Sequence, residues 1–311
     1  MRVLVLGSAA GGGFPQWNCN CRNCSGVRNG TVRAAPRTQS SIAVCGRAGT
    51  GWALVNASPD ILAQLRANPA LHGARAPRDS AIAGIVLVDG QIDHTAGLLM
   101  LRESGSALPV WCTREVCADL SRGNPIFGVL ARYCGVEQHT VVPDGRPFAI
   151  PGVAGVTWRA LAVAGKAAPY SPHRESPVSG DNIALIIGDE ASARTVVYAP
   201  GVGAVHEELW RAMQAAACVL IDGTFWSDDE MVALKVSRKH ARDLGHLPQS
   251  GAGGMLEWLE RLPRDRRRIL SHVNNTNPIL DEDSPQRGEL ARRGIEVATD
   301  GLEITPRRRP R

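Results

Sequence analysis

Three short apolar runs in this chain each stop on a side chain able to bind a metal. Ile85-Val86-Leu87-Val88 runs into Asp89-Gly90-Gln91-Ile92-Asp93-His94, Val219-Leu220-Ile221 into Asp222, and Ile269-Leu270-Ser271 into His272. A continuous apolar run of this length reads as a strand buried on both faces, and a residue just past its end stands at the edge of the sheet. Core packing does not ask for a ligand there. Three such ends together point to one ion held by Asp93, His94, Asp222 and His272, a mixed imidazole and carboxylate set.

Around these runs the chain alternates short β-rich stretches with helical ones. Strands are expected at Arg2–Leu6, Ser41–Cys45, Trp52–Asn56, Gly84–Val88, Pro109–Trp111, Gln138–Val142, Val156–Ala162, Ile183–Ile187, Thr195–Tyr198, Cys218–Ile221, Arg268–Ser271 and Glu296–Thr299. Helices are expected over Asp60–Arg66 (capped by Ser58), Val205–Ala216 and Ser250–Leu262, the last with Met255, Leu256, Leu259 and Leu262 on one face. That order suggests two sheets packed face to face with helices outside. The Gly/Pro/Ser-rich segment Gly165–Gly180 is the best candidate for a long loop beside a site. Gly11-Gly12-Gly13 follows the first strand without the spacing of a dinucleotide fingerprint, so close backbone approach to the metal site is the better account of it.

A chain of 311 residues buries roughly three-quarters of its unfolded surface and needs no staple to fold. The expected organisation is a single domain over residues 1–305 and a basic disordered tail over residues 306–311. That tail contributes four of the positives behind the net charge of +5, so basic character carries no case for nucleic acid. No run is long enough to cross a membrane, and Val3–Leu6 is too short for a secretory leader. A cytoplasmic protein is expected.

In that compartment the eight cysteines should be thiols or metal ligands. Cys19, Cys21 and Cys24 lie within six residues of one another in a loop and suit a structural zinc closed to solvent. The other five, Cys45, Cys112, Cys117, Cys134 and Cys218, read as small core residues. His139, His72, His206 and His240 read as packed or surface side chains.

The ligand order resembles the metallo-β-lactamase superfamily, and several stretches resemble one of its branches, the coenzyme PQQ synthesis protein B family. Those stretches are Leu6 to Cys21, Asp89 to His94, Asp181-Asn182-Ile183, Gly245-His246-Leu247-Pro248 and His272 to Pro278. The resemblance implies an α/β fold, an αββα four-layer sandwich. Asp89 and Gln91 stand where the superfamily has its first two histidines, which argues for one ion in place of two. The resemblance also implies Asn275 as a fourth group at the cysteine site, standing where related proteins use a histidine, and His246 as a general acid or oxyanion-stabilising group. Asp89 and Gln91 are then expected to bond substrate or metal-bound water.

Two histidines with carboxylate is the arrangement of non-haem Fe(II) oxygenases. The family resemblance agrees, implying iron-dependent hydroxylation of the tyrosine in a Glu–Tyr fragment of the PQQ precursor peptide, with O₂ as co-substrate. Tyr170, His173 and Arg174 are the substrate candidates, Arg174 being suited to carboxylates. The alternatives are a carrier or transport-assisting protein for PQQ or its intermediate, and a zinc hydrolase. The peptide-derived precursor and other PQQ biosynthesis proteins are the expected partners, with neither nucleic acid nor membrane; a homodimer is left open.

Overall fold

The computed structural model describes residues 1–306 apart from Ala48 and Thr50. The expected basic tail lies almost wholly outside the described residues. In chain order the strands are β1 (Arg2–Gly7), β2 (Ser41–Cys45), β3 (Trp52–Val55), β4 (Ile82–Val86), β5 (Leu108–Cys112), β6 (Val136–Thr140) and β7 (Asp144–Phe148). They continue as β8 (Val156–Ala162), β9 (Ile183–Asp189), β10 (Arg194–Ala199), β11 (Cys218–Asp222), β12 (Arg267–Ser271), β13 (Glu296–Val297) and β14 (Glu303–Ile304). Among the described residues they form two seven-stranded sheets, ordered β14-β1-β2-β3-β4-β5-β6 and β13-β12-β11-β10-β9-β8-β7.

Three separate apolar layers stack through the molecule. The central one interleaves Val44, Val86 and Val88 of one sheet with Trp158, Leu185, Tyr198 and Leu220 of the other. On one outer face Ile85 and Leu87 meet Ile61, Leu120 and Leu130 from helices. On the opposite face Val219 and Ile221 meet Leu209, Met213, Leu256 and Leu290. Successive residues of β11 therefore enter different layers, which is why its sequence is apolar throughout and does not alternate. The architecture is the αββα sandwich.

Two strands escaped the sequence reading. β7 carries Asp144, Gly145, Arg146 and Pro147 on a sheet edge, where a proline costs no ladder bond. β14 is two residues long. One expected cap and one expected helix start are also corrected. Asp60, not Ser58, precedes the helix Ile61–Ala67, and the Ser58 hydroxyl instead donates to Gln64. Ser250 donates to the Trp226 carbonyl, and that helix runs only from Met255 to Glu260. Among the described residues no helix is long and apolar enough to cross a membrane.

The topology brings the ligand-bearing ends together. β11 and β12 are parallel with Asp222 beside Ser271, so Asp222 and His272 emerge at the same end of one sheet. From the other sheet the chain past β4 crosses over: Ile183 N–H donates to the Val88 carbonyl at 2.9 Å, and Asp89 bridges to Asn182. That bridge carries Asp93 and His94 to the same edge.

Candidate metal centre

His94 is fully enclosed on the short helix Ile92–Thr95. Its Nδ1 lies 2.8 and 2.9 Å from the two Asp89 oxygens, and a carboxylate can only accept, so Nδ1 carries the hydrogen. The lone pair is thereby placed on Nε2, a buried atom without a hydrogen-bond partner. An orphaned buried nitrogen calls for an explanation, and a cation is the simplest one.

His272 repeats the arrangement. Thr224 gives its single hydroxyl hydrogen to Asp222 Oδ1 at 2.6 Å and therefore accepts from His272 Nδ1 at 2.9 Å. His272 Nε2 is left as an acceptor, 3.2 Å from Asp93 Oδ2, and the Asp93 oxygen lies 3.8 Å from His94 Nε2. Asp93, His94 and His272 thus offer ligand atoms within 4.8 Å of one another. His272 also sits at φ 59°, a left-handed conformation that costs a non-glycine residue about 1–3 kcal/mol and recurs at functional sites. Backbone bonds from Asn274 N–H to Thr224 and from Val273 N–H to Ser8 hold it there.

Electrostatics agree. Burial opposes charge on His94, but Asp89 and Asp93 outweigh it and lift the imidazole to about 9. Burial likewise opposes ionisation of Asp93, and the neighbouring His94 and His272 overcome it and hold the carboxyl well below its ordinary value. The same field favours any cation placed among them. The glycine run behaves as expected: a Cβ on Gly11 would lie 3.4 Å from the Asp93 carboxylate, so the backbone closes that side.

Asp222 is placed differently from the sequence expectation of four convergent ligands. It groups with His246 and His272, not with Asp93 and His94. One oxygen accepts from Val202 N–H and His246 Nδ1 at 2.8 and 2.7 Å, the other from the Thr224 amide and hydroxyl. Burial resists charge on His246, and the Asp222 carboxylate outweighs it and raises the imidazole above its ordinary value. His246 Nδ1 is thereby committed to Asp222.

At the cysteine site the sulfurs of Cys19, Cys21 and Cys24 also lie within 4.8 Å of one another. The Asn275 amide covers them, its Nδ2 3.0 Å from Cys19, 3.3 Å from Cys24 and 3.8 Å from Cys21. Burial pushes the Cys21 thiol up to about 12, whereas at Cys19 burial is outweighed by hydrogen bonds with Cys21, Cys24 and Asn275, which bring that thiol below its ordinary value.

A family model described as "Beta-lactamase superfamily domain" matches residues 51–273. The chain is 60% identical over 305 residues to "Coenzyme PQQ synthesis protein B" of Azoarcus sp. (strain BH72), covering 98% of this chain and 100% of that protein. It is 58% identical over 302 residues to the protein of the same name in Cupriavidus necator, covering 97% and 98%. The chain belongs to the coenzyme PQQ synthesis protein B family. Its fold superposes on the crystal structure of Zn(2+)-bound PqqB from Methylobacterium extorquens with TM-score 0.88 at 36% identity, covering 98% of this chain and 100% of that one.

The ligand cluster opens on a cavity of about 900 Å³ lined in part by Asp93, His94, Lys166, Arg174, His246 and His272. Several expected substrate and catalytic groups turn out to be occupied elsewhere. Asp89 lines the cavity, but both its oxygens accept from His94 Nδ1. The Gln91 amide donates to the Lys166 carbonyl at 3.2 Å. Tyr170 gives its hydroxyl to the Gly90 carbonyl, and His173 pairs with Asp181 at 2.9 Å. Neither Tyr170 nor His173 lines the cavity, whereas Arg174 does. Lys166 was missed, because a lysine within a Gly/Pro/Ser-rich loop has no pattern to mark it.

The remaining histidines and cysteines hold few surprises. His139 stacks on Trp111 and His206 caps the helix Glu207–Ala215, while Cys117 and Cys134 are only partly buried, packed against the outer apolar layer.

Behind the metal edge, Glu230 accepts from Thr276 Oγ1 at 2.5 Å and from Trp226 N–H at 2.6 Å, bracing the loop after His272. Burial is the largest influence and lifts this carboxyl from 4.5 to about 7. A folded value above the unfolded one means that folding takes up a proton between them. Stability is therefore highest below the unfolded value and falls as pH rises toward 7. Glu230→Gln should match the wild type near pH 4.5 and exceed it by about 3 kcal/mol at pH 8. Urea midpoints across that range test this; parallel curves for the two proteins would show that the carboxyl is not the cause.

Proposed function

We propose that this chain takes part in PQQ biosynthesis as a metal-dependent enzyme, an iron-dependent oxygenase hydroxylating the tyrosine of a Glu–Tyr fragment of the precursor peptide. The supporting observation is the convergence of His94 Nε2, His272 Nε2 and an Asp93 oxygen on one face of an open cavity. Two imidazoles and a carboxylate on one face is the donor set of non-haem Fe(II) oxygenases. Iron bound there would supply the O₂ activation that no amino-acid side chain provides.

The residues around that set have distinct tasks. Asp89 fixes the tautomer and tilt of His94, and Thr224 does the same for His272. Asp222, which groups with His246 and His272 apart from Asp93 and His94, anchors His246. His246, backed by Asp222, holds a proton at Nδ1 and offers Nε2 to the substrate phenol. Cys19, Cys21 and Cys24 would hold a structural zinc, with Asn275 as its fourth group once its amide oxygen faces the sulfurs. The enzyme is taken to work in the cytoplasm, alongside the other proteins of the pathway.

A zinc hydrolase is the second reading, favoured by the Zn(2+) of the Methylobacterium extorquens relative. Anaerobically purified protein reloaded with Fe(II) and given the Glu–Tyr substrate separates the two. Oxygen uptake matched by hydroxylated product is the expected result. Substrate binding by the iron form with no oxygen uptake, or hydrolysis by the zinc form, would replace the oxygenase reading.

A further inference from the structure

We infer that Lys166 and Arg174 form a carboxylate-binding end of the cavity, so that its ligand is a compact acid carrying at least two carboxylates. This deepens the reading of the cavity as the substrate site and rests on it. Lys166 and Arg174 are the lysine and arginine residues that line the cavity. The acids nearest the metal-binding side are already engaged: Asp89 with His94, Asp93 with His272, Asp222 with His246. Among the described residues, Lys166 has no hydrogen-bond or ion-pair partner for its ammonium. Arg174 gives one nitrogen to the Ala167 carbonyl at 2.5 Å and has no carboxylate partner.

Both cations stand on a braced segment. The Lys166 carbonyl accepts from the side chains of Gln91 and Asn182 at 3.2 and 3.3 Å. Gly245, at φ 89°, closes on it from the other side, where a Cβ would lie 2.6 Å from the Lys166 nitrogen. The residue before His246 therefore packs against the Lys166 backbone. The guanidinium–Ala167 bond ties Arg174 to the same segment. A partly buried cation that no acid neutralises loses hydration without recovering it, and an anionic ligand supplies the missing partner. Arginine takes a carboxylate with two parallel bonds and lysine takes one as a point charge, so a diacid satisfies both.

The test compares pyrroloquinoline quinone, a tricarboxylic acid, with its uncharged trimethyl ester in equilibrium binding to metal-loaded protein. Wild type, Lys166→Met, Lys166→Arg and Arg174→Met should be matched for metal content. The wild type should bind the acid at least tenfold tighter than the ester, with added salt weakening only the acid. Lys166→Met and Arg174→Met should each lose about tenfold for the acid and little for the ester, and Lys166→Arg should recover most of the loss. Equal binding of acid and ester by the wild type, or an undiminished preference in Lys166→Met, overturns the inference. The readout needs no turnover: intact discrimination without oxygen uptake would sink the oxygenase and leave the acid-binding end standing.

Discussion

A His94→Ala chain is expected to fold but to lose the ion at the Asp93–His94–His272 edge. Asp89 keeps the hydrogen on His94 Nδ1, so Nε2 is the nitrogen left for an ion, which displaces any proton there. Removing the ring deletes one of three donors and leaves Asp89 buried with its main partner gone, a loss of about 1–3 kcal/mol in stability. That is small against the core of three apolar layers. Metal affinity should fall more than 100-fold, since merely disturbing a group that orients a metal-bound histidine costs about 10–100-fold. Asp89→Asn supplies that milder case: the amide oxygen still accepts from Nδ1, without the charge. Metal per chain, measured with a thermal midpoint, checks both. A His94→Ala protein that keeps the full wild-type complement of metal would remove His94 from the ligand set.

Most of the site's location could be read before any coordinates, for a physical reason. Strands buried on both faces leave a continuous apolar signature, so the abrupt polar ends at Asp89, Asp222 and His272 stood out. The glycine run was legible for a related reason: its backbone at Gly11 does lie close to Asp93. What remained hidden was how polar groups divide their hydrogen bonds. Asp89, Gln91 and Tyr170 were expected to meet substrate or metal-bound water; Asp89 and Gln91 do line the cavity, but all three are also held by partners, namely His94, the Lys166 carbonyl and the Gly90 carbonyl. Composition marks such a residue as polar and conformationally placed, and only tertiary structure says which acceptor wins. Asp222 was recognised as a site acid, but its four hydrogen bonds come from Val202, Thr224 and His246, tertiary contacts that its strand pattern does not reveal. β7 and β14 were missed because an edge strand rich in polar residues and a two-residue strand carry little periodicity.

Cys21→Ala should have the largest effect on stability. Its sulfur faces Cys19, Cys24 and the Asn275 amide, and Asn275 stands three residues beyond His272 in the same loop. If zinc ties the N-terminal loop to that segment, its binding free energy adds to folding: about 4 kcal/mol at a thousandfold excess over Kd. In a domain of this size that corresponds to a lower thermal midpoint by roughly 6 °C. The fold itself should survive, since Asn23 independently bonds the Asn275 and Asn277 carbonyls at 3.1 and 2.9 Å. One zinc equivalent should disappear, and the His272 edge should bind its own ion about tenfold more weakly, because the brace behind the loop has gone. Wild-type protein stripped by a chelator and then reloaded at one site alone distinguishes this coupling from damage to packing. If zinc restores the midpoint of the stripped wild type but not that of Cys21→Ala, the thiols hold the structural ion. A Cys21→Ala protein with unchanged zinc content and midpoint would mean that the three sulfurs are only neighbours.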